Sequence, residues 1–360
     1  MACAMRQIPM DDIATSLPGA PILSIRNLEV QFAQDEGLVR AVDGASFDLH
    51  PGKILGIVGE SGCGKSVTAR AVLQILDRPG RIVGGEILFD RPGAPPLDIA
   101  RLDPASPAMA DIRGKEIALI FQEPMTSFSA HYTIGNQISE VITLHEAAAG
   151  KRRARQRTLE LLRLVGIPRP ERRIDEYPFQ LSGGLRQRAM IAMALACNPR
   201  ILIADEPTTA LDVTTQAQIL DLLRGLQKER GLSVLLITHD MGVIAEMADD
   251  VAVMYLGRIV ERGPVDQIFH APRHPYTRAL LRSIPSTLAK PRSRLQTIEG
   301  SIPHPYNRPQ GCPFHPRCSE RIAGRCDREV PETIPLGSDS AVSCFLYESA
   351  PTSAEGRPAA

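Results

Sequence analysis

Three stretches decide the reading of this chain: Gly59-Glu60-Ser61-Gly62-Cys63-Gly64-Lys65-Ser66, Leu181-Ser182-Gly183-Gly184-Leu185-Arg186-Gln187-Arg188, and Ile201-Leu202-Ile203-Ala204-Asp205-Glu206. The first matches the phosphate-loop pattern G-x-x-x-x-G-K-[ST]. It follows a fully apolar run, Ile54–Val58, and precedes a run of helical spacing, Val67–Leu76. That is the strand–loop–helix context in which successive backbone N–H groups converge on phosphate oxygens at a helix N-terminus. The alternative, a chance glycine-rich turn, does not account for this context. Lys65 is placed to reach the β- and γ-phosphates of a nucleoside triphosphate, and the Ser66 hydroxyl to ligate Mg²⁺.

Asp205 and Glu206 close an apolar run where an unpaired carboxylate would be costly. Asp205 suits a Mg²⁺ site, and Glu206 suits the general base that polarises an attacking water. A helix N-cap pair before Pro207-Thr208 is the plainer alternative. His239 ends the next apolar run, 33 residues after Glu206, where it suits a γ-phosphate sensor. A histidine at a strand end also serves structure alone. The run at 182–184 precedes a helix over Gln187–Cys197, again an anion-binding geometry.

The chain has 360 residues, 41 basic and 41 acidic. This is room for a large domain and a smaller one, and the charge balance gives no field that would steer nucleic acid. The apolar runs, such as Ala189–Cys197, fall short of the roughly 20 residues of a spanning helix. The N-terminus has no charged segment followed by an apolar core, so we expect a cytosolic chain that meets membranes through partners.

Short apolar runs over Leu23–Ile25 and Val39–Leu49 predict an antiparallel sheet. Residues 91–107, with five prolines, predict an irregular surface insertion. Residues 133–180 are charged and mainly helical. Strand-like runs over Ile201–Ala204, Val234–Thr238 and Val251–Tyr255, with a helix over Thr214–Glu229, predict a mostly parallel, helix-covered sheet. The cationic run Lys151–Arg157 reads as a solvated helix face more readily than as a phospholipid or nucleic-acid patch.

Beyond about residue 265 the chain becomes proline-rich, with Cys312, Cys318, Cys326 and Cys344 separated by five, seven and seventeen residues. In a reducing compartment such a group suggests metal before disulfides. The spacing lacks C-x-x-C knuckles, which leaves a [4Fe–4S] cluster, zinc, or four reduced thiols.

The order of the three opening motifs resembles that of ATP-binding-cassette ATPases, and specifically the ATPase subunit of importers. The resemblance implies an α/β phosphate-loop NTPase core with an antiparallel β subdomain and an inserted helical lobe at about 133–190. By that resemblance Gly59–Ser66 holds the phosphates, and Glu206, His239, Gln122 and Lys65 form the catalytic set. Gln122, in Phe121-Gln122-Glu123-Pro124, matches the Q-loop glutamine that touches Mg²⁺ or the water. Ala210-Leu211-Asp212 matches the D-loop, and Phe32, 33 residues before Lys65, the aromatic that stacks on adenine. A phenylalanine in an apolar run also serves as plain core. Ser182, Gly183 and Gly184 would complete the site of an opposite subunit in a head-to-tail dimer holding two ATP molecules. Cys63 and Leu185 depart mildly from the family pattern.

Phe121–Ser127, His274-Pro275-Tyr276-Thr277 and the cysteine module resemble the oligopeptide/dipeptide (peptide/nickel/opine) importer subfamily. Phe128-Ser129-Ala130-His131 departs from that subfamily's usual Ser-Leu-Asn-Pro. The implied organisation is a flexible lead over 1–21, an ATPase domain over 22–265, a loop-rich extension over 266–347 and a flexible tail over 348–360. The implied partners are a second ATPase, such as a paralogue, two transmembrane permeases and an extracytoplasmic solute-binding protein, without nucleic acid. The location would be the cytoplasmic face of the inner membrane, peripherally bound. The rival reading is a soluble cassette ATPase acting on nucleic acid or ribosomes, whose usual coiled-coil insertions or tandem cassettes are not seen here. A regulatory iron–sulfur protein that only binds ATP is disfavoured by the intact Glu206.

Overall fold

A computed structural model of the chain describes residues 19–123, 127–146, 148, 150–284 and 298–348. The expected lead up to residue 18, the Pro124–Thr126 part of the Q-loop motif and the tail from residue 349 lie outside them.

The first half folds as β1 (Leu23–Gln34), β2 (Gly37–Leu49), β3 (Ile54–Val58), α1 (Lys65–Val72), β4 (Gly80–Arg91), β5 (Ala94–Asp98), α2 (Pro107–Ile112) and β6 (Ile117–Ile120). The helical lobe follows with α3 (Ile134–His145), α4 (Lys151–Leu164), α5 (Pro170–Arg173) and α6 (Gly183–Ala194). The chain then returns to the core as β7 (Ile201–Asp205), α7 (Val213–Arg230), β8 (Ser233–Thr238), α8 (Met241–Met247), β9 (Asp250–Tyr255) and β10 (Arg258–Pro264). The extension adds α9 (Val265–His270), α10 (Pro275–Arg282), β11 (Ile334–Pro335) and β12 (Ala341–Val342).

Two sheets result. A four-stranded antiparallel sheet runs β2-β1-β4-β5, and an eight-stranded sheet runs β11-β12-β10-β9-β3-β8-β7-β6. In the larger sheet, β9, β3, β8, β7 and β6 are parallel. The period-2 alternation of a strand explains why these strands are apolar throughout. Leu202, Ala204, Val234 and Leu236 face the helical lobe and pack with Ile138, Leu162 and Ile191. Ile203, Leu235, Ile237 and Ile57 face the other way, onto Ile25, Phe47 and Phe89 of the antiparallel sheet.

Local signals set the helix starts. Thr133 accepts the Asn136 N–H before α3, and Asp212 accepts the Thr215 N–H before α7. Gly231, left-handed at φ 62°, ends α7.

The structure differs from the sequence expectation at several element bounds; α6, for one, spans Gly183–Ala194 rather than Gln187–Cys197, because Ser182 caps it. Helix α1 stops at Val72 rather than Leu76, because Arg113 donates to the Leu73 and Gln74 carbonyls at 2.8 and 3.1 Å and replaces the next helical turn. Residues 94–98, expected to be irregular, pair with β4. Their prolines are tolerated because β5 is an edge strand. The extension is welded to the core, since β12 pairs with β10 through Glu261↔Val342 and Arg262↔Ala341. The cationic run on α4 is a largely solvated face as expected: Lys151, Arg152 and Arg153 are exposed, and Arg155 forks onto Asp175 at 2.7 and 2.9 Å.

Candidate functional site

Four neighbouring parallel strands end at one edge of the large sheet. In their spatial order β3, β8, β7, β6 they deliver the loop from Gly59, His239, the Asp205–Glu206 pair and Gln122. Ligand sites of α/β sheets form at these carboxyl ends. The four motifs, spread over 180 residues of chain, are thereby made adjacent.

The loop after β3 needs glycine where it has it. Gly64 stands at φ 108° as the N-cap of α1, and a Cβ there would lie 2.4 Å from the Ala41 carbonyl oxygen. A Cβ on Gly59 would lie 2.1 Å from the Met254 carbonyl oxygen. Lys65 is 5% exposed, and its ammonium donates back to the Gly59 and Glu60 carbonyls at 2.8 and 3.2 Å. The Cys63 thiol is buried beside it, and burial raises its pKa. Glu60 is turned to the rear of the loop. Its N–H donates to Tyr276 Oη at 3.0 Å, and its carboxylate holds Arg317.

Asp205, 5% exposed, accepts the Ser66 hydroxyl at 2.9 Å. Burial pushes its carboxyl above the ordinary range, the Ser66 hydrogen bond opposes this, and Glu206 next door adds to it. Glu206 has the opposite balance. Burial would raise it, but the hydrogen bonds from His239 and Thr209 outweigh burial and hold it below the ordinary range. Its Oε2 accepts Gln122 Nε2 and Thr209 Oγ1, both at 2.9 Å, and its Oε1 lies 3.1 Å from His239 Nδ1. Its backbone is left-handed at φ 47°, an uncommon state for glutamate.

Lys65, Ser66, Gln122, Asp205, Glu206 and His239 thus meet in one place. The run at 182–184 lies against other residues. Ser182 N-caps α6 without a side-chain bond, and a Cβ on Gly184 would lie 2.6 Å from Thr215. Asp212 is engaged by Thr215, accepting its N–H at 2.9 Å and its hydroxyl at 2.7 Å. Phe32 is half-buried and pairs with Val39, its ring lying where a side chain on Gly80 would sit. A cavity of about 560 Å³ lies elsewhere, between Lys53, Asp249 and Arg262, and holds none of these side chains.

Sequence reasoning missed three partners. Thr209 completes the Glu206 shell, and only its place three residues after the carboxylate could have suggested it. Arg317 and Tyr276 reach Glu60 across 257 and 216 positions of chain, a separation with no local signal.

The four extension cysteines line one cavity of about 10 Å³ with His274, Phe314 and Phe345. Burial pushes the Cys312 and Cys344 thiols up to about 11 and raises Cys318. Among the described residues no group of three or more His, Cys, Asp or Glu side chains is set to hold a metal ion. The expected iron–sulfur or zinc site therefore gains the gathering of the thiols and not a ligand geometry. Burial favours the protonated form of Cys312, Cys318 and Cys344. Among the described residues no helix is long and apolar enough to cross a membrane.

Comparison with known proteins agrees with this geometry. The family profile for ABC transporters matches residues 42–209, and that for the oligopeptide/dipeptide transporter C-terminal region matches residues 260–326. The dipeptide transport ATP-binding protein DppD of Haemophilus influenzae is 47% identical over 94% of this chain and 98% of its own length. DppD of Bacillus subtilis is 46% identical over 91% of this chain and 95% of its own. Among solved structures, the dimeric post-hydrolysis state of an ATP-binding cassette bound to ADP and Pi superposes with TM-score 0.59 at 28% identity. That match covers 68% of this chain and 98% of the other. With the motif residues assembled at one sheet edge and relatives of this identity along nearly its whole length, the chain belongs to the ABC transporter family, in the group that bears the oligopeptide/dipeptide transporter C-terminal region.

Proposed function

We propose that the chain is the ATP-hydrolysing, energy-coupling subunit of an importer for peptides or related small solutes. The observation that carries this is the meeting of Gln122, Thr209 and His239 on the Glu206 carboxylate, beside Lys65 and the Ser66–Asp205 pair. The C-terminal region and the dipeptide-transport relatives support the transport role over the soluble rival.

Lys65 leaves the two loop carbonyls and takes the β- and γ-phosphate oxygens, while the loop N–H groups and the start of α1 hold the remaining charge. Mg²⁺ suits the Ser66 hydroxyl, the Asp205 carboxylate and the Gln122 amide oxygen, because Asp205 is a buried carboxylate that forms no salt bridge among the described residues. Bound there, the ion would neutralise charge developing on the phosphates. Glu206, ionised at neutral pH and held at both oxygens, accepts a proton from water as the water oxygen attacks the γ-phosphorus. The bond to the β,γ-bridging oxygen then breaks. His239 holds Glu206 from one side and faces the γ-phosphate from the other, and Phe32 stacks on the base.

The run Ser182–Gly184 and Asp212 then serve an opposing subunit, a second ATPase such as a paralogue. A dimer is supported by the ADP- and Pi-bound cassette of similar fold. Two permeases and an extracytoplasmic binding protein complete the complex, with this chain on the cytoplasmic face. The proposed units are the ATPase domain over 22–265 and the extension over 266–347. A metal staple at the four cysteines would need them to draw together from the shared pocket in which they lie without a ligand set, and iron, zinc and labile-sulfide analysis of the purified chain tests it.

The test of the function is a pull-down of the tagged, detergent-solubilised protein with mass spectrometry of what stays bound. Two permeases and a second ATPase are expected. Ribosomal or DNA-repair components without membrane proteins would overturn the transport reading.

A further inference from the structure

The extension reaches the phosphate loop itself. Arg317 lies inside the cysteine module, its side chain only 4% exposed, and forks onto Glu60 with Nη1–Oε2 at 2.7 Å and Nη2–Oε1 at 3.0 Å. A bidentate guanidinium–carboxylate pair fixes orientation as well as distance. The Arg317 Nε donates to the Glu299 carbonyl at 3.1 Å, so the fork is itself held. Tyr276, fully buried, accepts the Glu60 N–H at 3.0 Å. Its ring packs on Tyr255 and Phe314 with centroids 4.6 and 5.3 Å away, so its hydroxyl cannot wander. On the other side, Lys65 donates to the Glu60 carbonyl at 3.2 Å. The side chain, the N–H and the carbonyl of Glu60 are thus all engaged, the first two by the extension and the third by the phosphate-binding lysine.

We propose that Arg317 and Tyr276 are positioning residues of the nucleotide site, which hold the Gly59–Ser61 turn from behind and make the C-terminal extension a working part of the ATPase. The proposal rests on reading Gly59–Ser66 as the triphosphate loop. If the contacts only glued the extension to the core, breaking them would lower the melting temperature and leave the kinetics of the folded protein alone. If they position the loop, the loss appears in catalysis, since a misplacement of about 1 Å costs up to about 100-fold.

The experiment uses the full-length chain with Arg317→Ala, Arg317→Lys and Tyr276→Phe. It reads fluorescent ATP-analogue affinity, steady-state ATP hydrolysis and thermal melting. We expect Arg317→Ala to lower kcat/KM by about 10- to 100-fold. Arg317→Lys, which keeps the charge and loses the fork, should recover only part of it. Tyr276→Phe, which keeps the ring and loses only the acceptor, should cost several-fold with little change in melting. Wild-type affinity and turnover in the folded variants would overturn the proposal. Should Arg317→Ala not fold, wild-type kinetics in both conservative variants would overturn it equally. A wild-type chain that binds no ATP analogue would sink the reading of the loop, a failure distinct from variants that match a binding wild type.

Discussion

Replacing Asp205 by asparagine separates what the site does from what it costs the fold. Asp205 is 5% exposed at the end of β7, and among the described residues its carboxylate accepts one hydrogen bond, from Ser66 at 2.9 Å. Burial raises its pKa, as does Glu206, against Ser66, Arg70 and Lys65. A carboxyl whose folded pKa lies above its unfolded value of about 3.9 binds its proton more tightly in the native state. The penalty is absent below the unfolded pKa, grows as pH rises toward the folded pKa and is complete above it. Asparagine keeps the shape and still accepts the Ser66 hydroxyl, without the charge. At pH 7.5 the nucleotide-free variant should be more stable by about 0.5–2 kcal/mol. That is roughly 1–4 °C in melting temperature, narrowing as the pH is lowered. Mg²⁺-ATP at 100 times its Kd should stabilise the wild type by about 2.7 kcal/mol and the variant far less. Thermal melts of both proteins with and without Mg²⁺-ATP read the two effects together. A variant that melts below the wild type when nucleotide-free, or that keeps the full Mg²⁺-ATP shift, would refute the reasoning.

Other expectations follow from the same geometry. Glu261, 2% exposed, accepts the Arg273 and His274 N–H groups at 2.6 and 2.9 Å. Glu261→Ala strands the buried His274 N–H, at about 1–3 kcal/mol, and frees the part-buried Arg273 N–H, so it should lower the urea midpoint. His274, fully buried and pushed down to about 3, stays neutral when folded. Its contribution to stability is complete above its ordinary pKa of 6.5 and falls as pH drops from there toward 3, so His274→Asn should flatten the acid limb of a stability–pH curve. Phe32→Ala should weaken ATP binding by about 1–3 kcal/mol, while Phe32→Tyr should not. Equilibrium titration at wild-type affinity for the alanine variant would reduce Phe32 to packing over Gly80.

The parts of the fold legible in the sequence are those whose cause is local. The run Ile54–Val58 is β3 at the residues read, and the expected strands at 201, 234 and 251 each match within one or two residues. Their uninterrupted apolar character and the loop pattern after β3 are both short-range signals. Strand β5 was hidden because Pro95 and Pro96 argue against a strand unless it lies at an edge, and edge position is a property of the finished sheet. Strands β11 and β12 are two residues each and exist only because β10 offers a free edge. The site was legible where a motif carries its own chemistry, as at Lys65, Ser66, Asp205 and Glu206. The Arg317–Glu60 pair was not, because it needs the extension folded back across 257 positions. The cysteines were rightly read as one group, since all four line one pocket, but their number alone could not say whether they are placed to bind metal.

The central claim is that Glu206 is the base of an ATP-hydrolysing site, and turnover of Glu206→Gln tests it most directly. Glutamine fits between Gln122, Thr209 and His239 without the charge. The account predicts Mg²⁺-ATP binding near the wild-type level and turnover lower by about 100- to 10,000-fold. A glutamine variant that hydrolyses ATP at the wild-type rate would contradict it.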